Sequence, residues 1–163
     1  MSEPAPLPAA PLLSRVRLAR WMTGVFVVGL VLSGLTAMPV ITQLDVATRV
    51  FSRDGSALGA WLWRVYDAAV VMDRDMPFMF YGYDWLAFGH IAIAIVFVPA
   101  WRDPAKHAWL FDYGLILCGL VIVWAMAVGP FRGIPLGWRL VDCSFGVLGA
   151  VPLLIARRAV QSS

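Results

Sequence analysis

The sequence predicts an all-α integral membrane protein: a four-helix up-down-up-down transmembrane bundle with an amphipathic helix in the outer loop between spans 1 and 2. Three observations point there. The 163 residues are 61% hydrophobic and only 14% charged, with a mean hydropathy of +0.77, whereas a soluble domain carries roughly 25% charged residues to cover its surface. Four apolar runs are each long enough to cross a ~30 Å hydrocarbon core at about 1.5 Å per residue. The connections between the last three runs are short and rich in turn residues, so neighbouring spans reverse direction.

The elements follow in order. Residues 1–14, MSEPAPLPAAPLLS, are rich in proline and alanine and read as a disordered lead; residues 15–160 form a single four-span domain. Arg15, Arg17 and Arg20 precede span 1, residues 21–41. Its apolar stretch is too long for the core of a signal peptide and no small-x-small cleavage site follows, so it stays uncleaved. The next loop, about 40 residues, exceeds a plain connector. In it Leu58, Trp61, Leu62, Val65, Tyr66 and Ala69 recur at helical spacing, with Arg64 and Asp67 interleaved. An amphipathic helix on the outer membrane face, or capping the mouth of the bundle, fits that pattern.

Spans 2, 3 and 4 cover residues 83–101, 109–128 and 138–156. In the turn RDPAKHA, Asp103 is placed to cap a helix start and Pro104 suits its first position. GPFRGIPLG ends span 3 at Gly129–Pro130. Trp21, Trp85, Trp101, Trp109 and Trp138 stand near span ends, as an interfacial aromatic belt requires. The net charge is +3. Much of its basic excess adjoins spans, and no nucleic-acid-binding motif accompanies it, so it is a topology signal. Arg15, Arg17 and Arg20, Arg102 and Lys106, and Arg157 and Arg158 all fall on one side, which places both termini in the cytoplasm.

Charges within spans are costly and are the first candidates for function. Here they are Asp84, His90, Asp112, Arg139 and Asp142. His90 lies ~7.5 Å and Asp142 ~6 Å inside the same outer boundary, and Arg139 shares a helix face with Asp142. Two readings stand. In one, His90, Arg139 and Asp142 build an outward-opening polar pocket, with Arg132 and Tyr83 at its rim, for an anionic headgroup, a quinone or a proton. In the other, Arg139 and Asp142 pair and His90 bonds to a nearby carbonyl, locking helices together. Asp84 is placed to cap span 2, and Asp112 to pair with Arg102, Lys106 or a C-terminal arginine. His90 and His107 lie near opposite membrane faces and cannot ligate one haem together; His90 alone could hold a haem or chlorophyll. Cys118 and Cys143 differ in depth by ~7 Å, which excludes a disulfide. No motif of a soluble catalytic domain occurs, and no metal set is evident. The span glycines, Gly24, Gly29, Gly34, Gly89, Gly114 and Gly119 among them, point to close helix packing.

The strings SGLTAMPV, YGYDWLAFGH and GPFRGIPLGWRLVDCSFG, in this order, resemble small four-span proteins of bacterial inner membranes that have no assigned activity. The resemblance implies a shared fold and location, and brings no cofactor or partner. Three functions are compatible with the sequence: a subunit organising a larger membrane assembly, with protein partners or with itself; a carrier of a lipid-soluble or anionic small molecule; and a membrane-embedded enzyme.

Overall fold

The computed structural model describes residues 9–53 and 55–161, and all their regular structure is helical. The first helix, α1 (Ala9–Ala37), starts inside the stretch read as a disordered lead. Pro11 falls in its first turn, where no amide needs an intrahelical partner, and Ala9, Ala10, Leu12 and Leu13 propagate the helix. Residues 1–8 lie outside the described residues.

Span 1 ends at Ala37, short of the expected Ile41. Pro39 has no amide to donate and pushes Met38 out of helical geometry. The chain then starts a separate helix, α2 (Val40–Val50), with the Gln43 amide donating to the Pro39 carbonyl at 3.0 Å. The Gln43 side chain reaches back to the Thr36 carbonyl and ties the two helices together. This element is absent from the sequence reading, which divided its residues between span 1 and the loop.

Helix α3 (Ala57–Asp75) occupies the segment where helical spacing was read. Ser56 caps it, its hydroxyl accepting the Gly59 amide at 3.0 Å. Helices α2 and α3 bury Leu44, Leu62 and Ala69 between them, with Leu58, Val65 and Tyr66 packed alongside. Phe80 and Trp138 join the same cluster from the entrances of spans 2 and 4. The loop between the two helices is stapled by Arg53, which pairs with Asp67 at 2.9 Å and lies 4.6 Å over the Trp63 ring. The Trp63 indole donates to the Phe51 carbonyl at 2.9 Å.

A 3-10 turn (Pro77–Phe80) feeds directly into α4 (Tyr81–Val96), so the second apolar segment begins at Pro77 rather than Tyr83. It breaks at Phe97 and resumes as α5 (Val98–Arg102), because Pro99 cannot donate to the ladder. Helix α6 (Trp109–Val128) matches the expected bounds of span 3. Helix α7 (Leu136–Gln161) outruns the expected 138–156 at both ends and carries Pro152 buried in its interior. Gly133, at φ 68°, makes the left-handed turn before it. Four segments, Leu13–Ala37, Pro77–Arg102, Trp109–Val128 and Leu136–Gln161, are long and apolar enough to cross a membrane, and they mark a multi-pass membrane protein.

Helix α1 packs along α4 and along α7, and α7 packs along α6; α4 and α6 share no extended seam. On the first seam Gly24 faces Trp101 while Gly34 lies under Ala87 and His90. On the last, Gly114 faces Leu153 and Gly146 faces the Cys118 carbonyl. The buried core runs through Ala19, Phe26, Phe97, Phe111, Leu153 and Ala156. Small residues account for these seams, as membrane helices lack a hydrophobic drive to associate and rely on close packing. Gly29, Gly89 and Gly119 depart from that expectation, since a Cβ on any of them would meet no atom within 4 Å.

A Cβ at Gly146 would sit 2.5 Å from the Cys118 carbonyl oxygen, a backbone atom that cannot step aside. Gly146→Ala is therefore expected to destabilise the protein by about 1–3 kcal/mol. Gly29→Ala, into open space, should hold lipid-free stability or raise it by up to about 1 kcal/mol. Detergent melting curves of the two variants check the contrast.

Candidate functional site

The outer polar residues were read as one cluster; the packing separates them. His90 lies half-buried on α4 against Gly34 of α1, and its Nδ1 is 2.8 Å from the Leu86 carbonyl oxygen, one turn back on its own helix. A carbonyl oxygen only accepts, so the Nδ1–H donates this hydrogen bond. This bond stays within α4 and locks no helices together.

Arg139 and Asp142 sit on α7, whose neighbours are α1 and α6. The two do not pair, although i,i+3 spacing puts them on one face. The Arg139 stem instead runs across Gly129 at the end of α6, and its Nε is buried with no hydrogen-bond partner among the described residues. The reason is steric: the missing side chain at Gly129 opens a trough that takes the arginine methylenes, so the guanidinium is drawn towards α6. Asp142, half-buried, has no ion-pair partner among the described residues. No hydrogen bond or ion pair joins His90 to either residue.

The rim residues are likewise dispersed. Arg132 is exposed in the 3-10 turn Pro130–Arg132. Tyr83 stacks 5.6 Å from Phe80. Asp84 does not cap span 2: the 3-10 turn before Tyr81 carries the chain into α4 without a side-chain cap, and Asp84 falls within the first turn. It is still placed where a negative charge suits the helix dipole. Asp103 does not cap span 3, which starts at Trp109 with Ala108 at its N-cap and no side-chain cap. Its carboxylate instead accepts the Lys106 amide at 3.1 Å within the preceding turn, where Pro104 is buried. Asp112 pairs with Arg157 at 2.6 Å, tying the start of α6 to the end of α7.

Among the described residues no group of three histidine, cysteine or acidic side chains could hold a metal. Cys118 and Cys143 are free thiols. On the α3 surface the Arg74 guanidinium, 2.7 Å from Asp75, holds that carboxyl below the usual carboxylate range. This pair is fully solvated and adds little to stability.

Concavity lies elsewhere. Two adjoining cavities, of about 410 and 700 Å³, open where the start of α1 meets α5, and Trp21 and Trp101 wall both. The sequence analysis used their arginines for orientation and their tryptophans as interface markers. Its one usable hint was the recurrence of Arg17, Arg20, Gly24 and Val28 on a single face of α1. No family model matches the chain, and no curated protein or solved structure is detectably similar to it.

With no cation paired to Asp142, the usual penalty for breaking a buried pair does not arise. Asp142→Asn should leave the melting temperature in detergent unchanged or raised, because it removes a half-buried charge and keeps the shape. A clear fall would mean that an ion pair forms in solution.

Proposed function

We propose that this protein is a small integral-membrane subunit whose spans pack against partner proteins or against further copies of itself, organising a larger assembly. Its four long helices cross the bilayer up-down-up-down with both termini in the cytoplasm, and the α2–α3 pair lies at the outer face. Two features support that topology. The arginines and lysine flanking the spans gather on one side. Rising residue numbers on α1 also meet falling numbers along α5 and α4, from Gly24 against Trp101 of α5 to Gly34 against Ala87 of α4. Likewise Gly114 and Gly146 of α6 and α7 face Leu153 and Cys118. The apolar face of α3 covers the entrances of spans 2 and 4 through Phe80 and Trp138, which supports a role at the bundle mouth. The resemblance of three strings to small four-span proteins supports the cytoplasmic membrane of a bacterium as its location.

The observation that carries the assembly reading is that two of the three open span glycines, Gly89 and Gly119, face no atom of the described residues within 4 Å of an ideal Cβ. Glycine inside a helix costs roughly 1 kcal/mol relative to alanine, so a glycine on an exposed span face calls for a neighbour that uses the missing side chain. A partner helix does, since small residues let two backbones approach closely. Gly119 lies on a stripe of α6 with Ile116, Leu120 and Val123, which are 61%, 54% and 62% exposed. That stripe faces away from α7, the long helix that α6 packs along among the described residues.

Two outcomes are expected. In mild detergent, light scattering should find the wild-type chain in a particle heavier than the monomer, and Gly119→Phe should reduce it to the monomer with helix content unchanged. A monomeric wild type would sink self-association and leave only protein partners, and a Gly119→Phe variant of wild-type mass would sink the α6 face as the seam. For topology, single cysteines are placed in a Cys118→Ala, Cys143→Ala background. One at exposed Asp73 should react with an impermeant thiol reagent in intact cells, and one at Gln161 only after permeabilisation. The reverse pattern overturns the orientation.

A further inference from the structure

The cavities at the α1–α5 junction form one amphiphilic site. At its head stand Arg17, Arg20 and Arg102, with Trp21 and Trp101 as side walls. Arg20 Nη2 donates to the Arg102 carbonyl at 2.8 Å, which fixes the two helices together there and holds that guanidinium at the rim. Among the described residues no carboxylate lines this head region. Three guanidiniums without an acid are suited to an anion with several oxygens, for which arginine offers paired donors.

Below the tryptophans the surface changes character. The second cavity follows α1 from Gly24 through Val25, Val28 and Gly29 to Leu32, and Val98 closes it from α5. Eight residues of α1 separate Gly24 from Leu32, so the groove descends ~12 Å towards the middle of the span. Its lining is apolar apart from the tryptophan indole nitrogens. Its volume of about 700 Å³ falls within the range of small-molecule sites, roughly 300–1,000 Å³. Gly29 forms open floor, as a Cβ there would meet nothing within 4 Å.

We infer that this junction binds one anionic phospholipid, its phosphate held by Arg17, Arg20 and Arg102 and one acyl chain lying in the groove over Gly24 and Gly29. Charge complementarity selects the head, and the continuous apolar groove selects a chain covalently attached to it. Trp21 and Trp101 stand where the two regions meet, at the depth of the glycerol backbone, the usual place of amphipathic aromatic rings at a membrane interface. Basic pockets between helices at a membrane face recognise anionic lipid heads by this chemistry. The second acyl chain stays in bulk lipid, which suits a groove open along its side. This inference is independent of the assembly role, since it uses a different face and a different ligand.

The test uses the full chain, purified in a mild neutral detergent, with native mass spectrometry and melting curves as readouts. Phosphatidylglycerol should bind at least about tenfold more tightly than phosphatidylcholine and raise the melting temperature. Inorganic phosphate at the same concentration should do neither. Arg17→Gln and Arg102→Gln should each weaken phosphatidylglycerol by about fivefold, the scale of one basic residue against an anionic lipid surface. Gly29→Leu fills the groove while meeting no protein atom at its Cβ. It should therefore keep the lipid-free melting temperature and lose tenfold or more in phosphatidylglycerol binding. Equal binding of the two lipids overturns the proposal, as does stabilisation by phosphate alone, which would make the site a bare anion pocket. Full phosphatidylglycerol binding by Gly29→Leu overturns the groove assignment even if the arginine variants fail to fold.

Discussion

The spans converge on one side chain. Phe97 is fully buried at the break between α4 and α5, with its ring 4.8 Å from that of Phe26 on α1 in an edge-on contact. On the far side it approaches α6 where Gly114 offers no side chain; a Cβ there would sit 2.8 Å from the Phe97 ring and 2.6 Å from Leu153 of α7. Helices α4 and α6 have no seam of their own, so this ring carries contact between the two ends of the row. The arrangement depends on Pro99, because an unbroken helix would place residue 97 in regular register on α4. Loss of one backbone donor thus shapes the centre of the protein. In a membrane such a loss is tolerated where protein covers the backbone groups it frees.

This convergence has consequences at both ends. Near the start of α1 the packing is dense: Ala19, Phe111, Leu153 and Ala156 lie deep in the core, and Asp112–Arg157 ties α6 to α7. The same bend that buries Phe97 swings α5 across α1, bringing Arg102 to Arg20 and leaving the groove beneath Trp101. Towards the other end, the α2–α3 pair fills the space above the spans with its own small core and binds Phe80 and Trp138 into it. The entrances of spans 2 and 4 are therefore covered by protein, and no hydrogen bond or ion pair joins His90, Arg139 and Asp142 to one another.

Much of the fold was legible from residue type and spacing. Apolar run length located all four spans and gave α6 to the residue. It started span 1 at 21 rather than Leu13 and span 2 at 83 rather than Pro77, and stopped span 4 at 156 rather than Gln161. Period 3.6 in Leu58, Leu62, Val65 and Ala69 revealed α3. Misjudgements cluster at proline: Pro39 cut span 1 and created α2, while Pro11 proved harmless within a first turn. The candidate site fared less well. Helical spacing supplies the depth of a residue and its face relative to others on the same helix. It says nothing of which helix that face meets. Arg139 and Asp142 share a face and still part company, because Gly129 gives the arginine stem a better bed than the carboxylate gives its head.

By itself the sequence determined the solvent and the spans. At 14% charge the surface must lie in lipid, and in lipid each backbone polar group must bond within its own helix, which is a local requirement readable residue by residue. Tertiary structure alone decided the order of the helices, with α1 and α7 inside and α4 and α6 outside, and hence which polar groups became neighbours. Lateral order rests on the fit of Gly34 under Ala87, of Gly146 on the Cys118 carbonyl and of Phe97 over Gly114. These are contacts between residues distant in the chain, for which no periodicity carries a signal.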